Sequence, residues 1–284
     1  MLRTSLQQAL ILGAIFMATN PFFAPTSHAK EFHQRYQISP KKKLRVNIDI
    51  DAAEVNIRKS PNDYEALVTM YYDEAEYRVE SEYDETRGRL DIFFDKKRWV
   101  DTSDHNLDPE ATIELPAGAK IDFDAEIKAG EIEIDLGGLT LLSLVLTTLA
   151  GEVMVDFSEP NQTEMEYLQI NTKFGETEIR RLGNARFKEA EINGGVGEMR
   201  IDFRGALLNG AVAKVDLDIG ETHLYMPEEV GVKLAVSKFL FLSHFDAPRE
   251  FEKSGRYYYS KNYRDTQNEL VLKVSPGLGE LHID

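Results

Sequence analysis

The dipeptide Gly-Glu recurs at Gly130, Gly151, Gly175, Gly197 and Gly220, at intervals of 21, 24, 22 and 23 residues, and stands once more at Gly279. Each copy opens a short run in which polar and apolar residues alternate, as in Glu131-Ile132-Glu133-Ile134-Asp135, Glu176-Thr177-Glu178-Ile179-Arg180 and Glu280-Leu281-His282-Ile283-Asp284. A second run precedes each Gly, with apolar residues seven and five positions before it, such as Leu168 and Ile170 before Gly175 or Leu272 and Val274 before Gly279. Alternation with a period of two belongs to strands with one buried face. A fixed period near 22 residues with short strands in each copy predicts an all-β fold, a parallel β-solenoid. One such coil cannot bury its own apolar face, whereas stacked coils bury a continuous one. A β-sandwich with evenly spaced strands is the alternative.

The flanks read differently. Leu44 to Ile50, Glu54 to Arg58 and Tyr77 to Glu80 also alternate, but Ser60-Pro61-Asn62-Asp63 and Asp84 to Gly88 supply turns between them, which predicts a small, antiparallel-leaning sheet module. After Lys238 the repeat gives way to an insertion rich in aromatics that ends near Asn268. The expected division is therefore a leader over 1–29, a β module with linker over 30–109, and a solenoid over 110–284 carrying an aromatic insertion at about 239–268.

The leader has the three parts of a secretory signal peptide: Arg3, an apolar stretch from Ala9 to Ala18, and a small-residue end at Ser27-His28-Ala29, with cleavage expected after Ala29. The alternative is an uncleaved anchor, although the apolar stretch falls short of the ~20 residues that a span requires. Leu136 to Gly151 is free of formal charge, but Gly137-Gly138 and Thr147-Thr148 interrupt it, so it reads as two buried strands. An exported protein, periplasmic or extracellular, is expected, with no transmembrane segment in the mature chain. A formal net charge of −16 argues against a nucleic-acid partner, since the phosphate backbone demands clustered Lys and Arg. The lack of any Cys excludes disulfides, a thiol nucleophile, Cys-ligated metals and a lipidated N-terminal Cys.

Several short motifs occur together: Ile113-Glu114-Leu115-Pro116, the Gly-Glu strands, Met226-Pro227-Glu228-Glu229-Val230-Gly231-Val232, and Tyr263 followed by Glu269 to Val274 and Gly279 to Ile283. In this combination the chain resembles the toast-rack, or putative-adhesin, domain, which also forms the extracytoplasmic part of LiaF-like cell-wall-active antibiotic response proteins. The resemblance implies a β-solenoid and a link to the cell envelope, and carries over no catalytic residue. The chain lacks the multi-helix membrane segment of the LiaF-like pattern, which sets it apart from a direct signalling role.

If the coils stack in register, Glu131, Glu152, Glu176, Glu198 and Glu221 project one above another. Like charges about 5 Å apart in water repel by about 1 kcal/mol before screening. The column is thus expected to be a weakly cation-responsive face, with a solvated acidic surface eased by Lys173, Arg180 and Arg200 as the plainer possibility. Asn171 and Asn193, each four residues before a Gly, are expected to stack their amides. His223 and His282 hold the same place in two Gly-Glu strands but are parted by the insertion, so they read as surface histidines and no metal site is expected. Arg256, Tyr257, Tyr258, Tyr259, Tyr263 and Arg264 form a basic, aromatic segment that suits a sugar or anionic ligand, or else caps the open end of the stack. No Gly-x-Ser-x-Gly elbow, Walker loop or polygalacturonase-type Asp pair is present. The reading is a non-enzymatic envelope interaction or scaffold protein, adhesin-like, with an unidentified protein or polysaccharide partner and no cofactor. The alternative is a β-helix enzyme that acts on polysaccharide with paired carboxylates.

Overall fold

A computed structural model describes residues 29–40, 42–97, 108–237, 243–245 and 247–284. The leader up to His28, together with Trp99 and His105, lies outside the described residues. The fold is all-β: the described residues form eighteen strands in one mixed sheet and a single 3-10 turn at Leu182–Ala185. No helix among them is long and apolar enough to cross a membrane, and the uncharged segment after Leu136 turns into a strand at Thr140.

In chain order the first strands are β1 (Ala29–Gln37), β2 (Leu44–Ala52), β3 (Glu54–Lys59), β4 (Glu65–Asp73), β5 (Tyr77–Asp84), β6 (Arg89–Lys96) and β7 (Glu110–Leu115). The repeat follows as β8 (Lys120–Asp135), β9 (Thr140–Asp156), β10 (Met165–Arg180), β11 (Phe187–Asp202) and β12 (Ala211–Tyr225). The last are β13 (Gly231–Val236), β14 (Ser243–Phe245), β15 (Phe251–Ser254), β16 (Tyr257–Ser260), β17 (Glu269–Ser275) and β18 (Leu278–Ile283).

Each repeat strand runs through its Gly-Glu, so the two alternating runs of a copy form one long strand with the glycine in its middle. Neighbours pair in parallel with Gly130, Gly151, Gly175, Gly197 and Gly220 in one column. The reason for glycine is steric. Gly175 has φ +121°, in the region L side chains avoid, and a Cβ there would collide with the carbonyl oxygen of Gly151 on the preceding strand. The same collision, each time with the glycine before, meets a Cβ on Gly151, Gly197, Gly220 or Gly279.

The apolar positions of the copies point into one interior. Phe123, Leu144, Leu168, Ala190, Ala213 and Leu272 are buried, as are Ile134, Val155, Ile179, Ile201, Leu224 and Ile283 on the far side of the glycines. All belong to one hydrophobic cluster that runs on into β2, β3 and β6. Burying such columns removes about 25 cal/mol of unfavourable hydration per Å² of apolar surface, the main driving force for the stack.

The N-terminal segment is continuous with the repeat. β2 pairs in parallel with the first half of β8 and β3 with the second half, so Leu44 to Lys59 adds one more layer, with Ala52 opposite Ala129 and Val55 opposite Ile132. Ala53 and Glu54 thereby stand where the repeat has Gly and Glu. Ala is tolerated because the next layer outward is split into β6 and β7 at this point, leaving no carbonyl for its Cβ to strike. The antiparallel pairing expected of the module is confined to β1 on β4, β4 on β7 and β5 on β6.

Both ends of the stack use the same device. β2 and β3 lie between β8 and a later-formed layer, β6 with β7, and at the other end β17 and β18 slip between β12 and an earlier layer, β13 with β14. Antiparallel strands then cover the outer layers: β16 pairs with β13 and β15 with β16. A parallel layer left bare would offer a row of unpaired N–H and C=O groups to other chains.

Candidate functional site

The glycine column forms a corner of the stack with a different chemistry on each side. One residue after it, Glu131, Glu152, Glu176, Glu198, Glu221 and Glu280 are in register on successive layers. Sequence reasoning did not assign Glu280 to this column, and Glu54 extends it past Glu131; the period broke for Glu280, and Ala53 hid the motif for Glu54. One residue before the glycines, Phe174, Val196, Ile219 and Leu278 are also in register and lie 57%, 43%, 46% and 37% exposed. Leu149, 50% exposed, extends the apolar surface toward β9. This column escaped the sequence reading, which sorted residues only by alternation. Its signal is plain afterwards: an apolar residue precedes Gly in every repeat strand, at a place where alternation would turn it outward.

Basic side chains ease the acidic column. Arg200 pairs with Glu198 across two positions of β11, and Arg180 donates to both oxygens of Glu178 at 2.9 and 2.8 Å. The Arg180 hydrogen bond holds the Glu178 carboxyl below the usual carboxylate range. Beside them runs a shallow trough of about 110 Å³, lined among others by Glu131, Glu152, Glu176, Glu178 and Arg200. On the run before the glycines Asn193 donates to Asn171 Oδ1 at 2.9 Å, and Asn171 to Thr147 Oγ1 at 3.3 Å, so the amides do stack between layers.

His223 and His282 are not parted. The insertion passes to the outer layer, so β18 pairs directly with β12 and His223 stands opposite His282. Their rings are stacked, with centroids 4.7 Å apart and planes 17° from parallel. His223 Nε2 lies 3.4 Å from both Glu198 Oε1 and Glu221 Oε2, and His282 Nε2 lies 3.3 Å from Glu280 Oε2.

The basic, aromatic segment divides by strand alternation. Tyr257 and Tyr259 share one face of β16 and Tyr259 meets Tyr263 edge-on at 4.9 Å, whereas Tyr258 turns to the other face, opposite Leu234, and packs on the core. Lys233 Nζ sits 4.4 Å and the Arg256 guanidinium 4.9 Å from the Tyr257 ring centroid, and Arg256 also donates to the Tyr257 hydroxyl at 2.6 Å. Tyr263 donates to Glu269 at 3.2 Å, and Arg264 is exposed. The segment thus brings Arg256, Tyr257, Tyr259 and Tyr263 together, while Tyr258 covers the end layer.

A further acidic group lies at the other end. Asp51 is buried and accepts from the backbone N–H of Lys96 at 2.7 Å and from Lys128 Nζ at 2.6 Å; Lys128 is also 3.3 Å from Asp49 Oδ1. The hydrogen bond to Asp51 raises the Lys128 pKa, so this ammonium already supplies the cation between the carboxylates. Burial, then the charges of Asp51 and Asp49, push the nearby Asp95 carboxyl upward.

The comparisons with known proteins fit this geometry into a wider group. The chain is 19% identical to a putative cell adhesion protein from Clostridium sporogenes, whose crystal structure superposes with a TM-score of 0.46 over 89% of this chain and 99% of that one. It is 12% identical to a putative adhesin from Bacteroides fragilis, with a TM-score of 0.36 over 90% and 97% of the two chains, and 13% identical to a putative adhesin from Parabacteroides distasonis, with a TM-score of 0.30 over 90% and 97%. No curated protein matches the sequence. The family described as the N-terminal domain of toast_rack, DUF2154, matches residues 25–180, more than half of the chain. The protein belongs to the toast-rack family.

Proposed function

We propose that this chain is an adhesin-like protein of the cell envelope, exported by its leader, that binds a partner rather than catalysing a reaction, and that the corner along the glycine column is its binding face. In this reading the parallel layers are coils of a β-solenoid of about 22 residues each, with residues 30–109 supplying one end and the aromatic insertion at about 239–268 the other. The observation that carries the proposal is the exposed column of Phe174, Val196, Ile219 and Leu278. Single exposed apolar residues are ordinary, but a contiguous row at strand spacing is what interaction surfaces present. The row is rigid, because each side chain stands on a hydrogen-bonded layer, so little ordering entropy is lost on binding. An extended partner running along the column meets an apolar contact at every layer, about 4.8 Å apart. The glutamate column beside it repels polyanions and favours a neutral or cationic partner. Anionic envelope polymers suit Arg256, Tyr257, Tyr259 and Tyr263 better, where Lys233 adds a further positive charge.

The test is retention of envelope proteins and a panel of wall polysaccharides by the immobilised chain, compared with a variant carrying Phe174→Ser, Val196→Ser and Ile219→Ser. The expected result is specific retention by the native chain and at least a tenfold loss in the variant, with an unchanged melting temperature. Equal retention by both would remove the corner as the binding face. Cleavage of a panel polysaccharide, abolished by one carboxylate substitution, would establish the enzyme alternative.

A further inference from the structure

We propose that Glu221, His223 and His282, with Glu280 beside them, bind one divalent transition-metal ion of the Zn²⁺ class. The proposal is independent of the binding face and assigns a site at the junction of β12 and β18.

The stacked rings place both imidazoles on the same side of the sheet, and one ligand atom from each of Glu221, His223 and His282 lies within 4.8 Å of the others. In a tetrahedral site with Zn–N and Zn–O bonds of about 2.0–2.2 Å, neighbouring ligand atoms stand about 3.3–3.5 Å apart. The observed separations of 3.4 Å for His223 Nε2 to Glu221 Oε2 and 3.3 Å for His282 Nε2 to Glu280 Oε2 fall on that edge length. They are longer than the N–H···O hydrogen bonds that such pairs usually make, about 2.7–3.2 Å. Closing the site needs only small side-chain rotations, since the strands that carry the ligands are already paired in register.

The ligand set selects the ion. Two imidazoles with one or two carboxylates suit Zn²⁺, Ni²⁺ or Cu²⁺, whereas Ca²⁺ takes six to eight oxygens and gains little from nitrogen. The column containing the two histidines reads Glu133, Met154, Glu178, Arg200, His223 and His282 across the layers, so only its last two positions offer imidazole. Arg200 stands one layer from His223, and its charge is met by Glu198, which also faces His223. The group therefore presents an excess of negative charge to an ion. His223 is 24% and His282 43% exposed, which leaves the site open to ions from solution.

Titration calorimetry of the purified, tag-free chain with ZnCl₂ tests the assignment, with CaCl₂ as the control. One Zn²⁺ per chain is expected, weakened at least tenfold by His223→Ala or His282→Ala, abolished by both together, and weakened severalfold by Glu221→Gln, while Ca²⁺ at the same concentration gives no matching isotherm. Thermal unfolding of the apo variants at unchanged temperature shows that the fold survives. Replacement of Zn²⁺ by Co²⁺ is expected to give visible d–d absorption of tetrahedral strength that the double variant lacks. Absence of Zn²⁺ binding, or binding that the double variant retains, would overturn the proposal; the second result would make the acidic column a diffuse ion atmosphere.

Discussion

Asn193 donates its side-chain amide to Asn171 Oδ1 at 2.9 Å across the junction of two repeat layers, 22 positions apart in the chain. The bond is possible only because the layers pair in register, and it shows how the stack turns sequence period into spatial columns. Columns of this kind carry glycines, glutamates, exposed apolar residues and buried methyls side by side, and each makes a separate prediction.

The glycine column is expected to tolerate no methyl group inside the stack. Gly175→Ala places a Cβ against the carbonyl of Gly151 at a φ of +121° and should cost at least about 2 kcal/mol, or prevent folding. Ala53→Gly, at the equivalent place in the outer layer, should cost less than about 1 kcal/mol, since it only adds backbone freedom. Urea denaturation followed by circular dichroism measures both, and equal costs would contradict the steric account.

Thr222 is fully buried and its hydroxyl has no hydrogen-bond partner. Replacing it by Val keeps the shape and removes an unsatisfied polar group, so stability should rise by about 1 kcal/mol. A drop in the unfolding midpoint would mean that the hydroxyl has a partner in solution.

Asp95 yields a pH dependence. Its carboxyl is pushed up by burial and by Asp51 and Asp49, so the folded state holds its proton more tightly than the unfolded state does. Stability from this group is complete below the unfolded value near 3.8 and is lost as pH rises through the raised folded value. Asp95→Asn should therefore raise the melting temperature at pH 7, with the gain fading as the pH falls below about 4. A gain that persists unchanged at pH 3 would assign it to packing instead.

The acidic column should respond to cations in bulk. Millimolar Ca²⁺ is expected to raise the melting temperature by a few degrees, and NaCl to reach part of that gain by screening charges about 5 Å apart. Glu152→Gln, Glu176→Gln and Glu198→Gln together should remove most of the response without unfolding the chain, because these side chains point outward. Differential scanning calorimetry reads the effect. A response left intact in the triple variant would place the relevant charges elsewhere.

Much of this architecture was legible in the residues. Alternation around Gly130, Gly151, Gly175, Gly197 and Gly220 marked the strands and the buried positions correctly, because burial of one strand face leaves a period of two that needs no knowledge of partners. The equal spacing of the glycines also foretold that Glu131 to Glu221 would stand in one column, since layers of equal length return each residue to the same place.

The tertiary structure alone decided which layers are neighbours at the ends. Nothing local tells β18 to pair with β12 in preference to the nearer β13, so the contact of His223 with His282 could not be read from a chain in which an aromatic insertion separates them. Nor does Ala53-Glu54 announce that it replaces Gly-Glu, because the permission for its Cβ comes from the split between β6 and β7. Asn161, in a Pro-Asn-Gln stretch that reads as a turn, is buried, and its amide completes the pairing of Leu141 from both sides. Side-chain periodicity is a property of one strand and is written in its residues. The order of layers depends on which distant edges find each other and on where the chain between them can pass, and that is settled by packing of the whole stack.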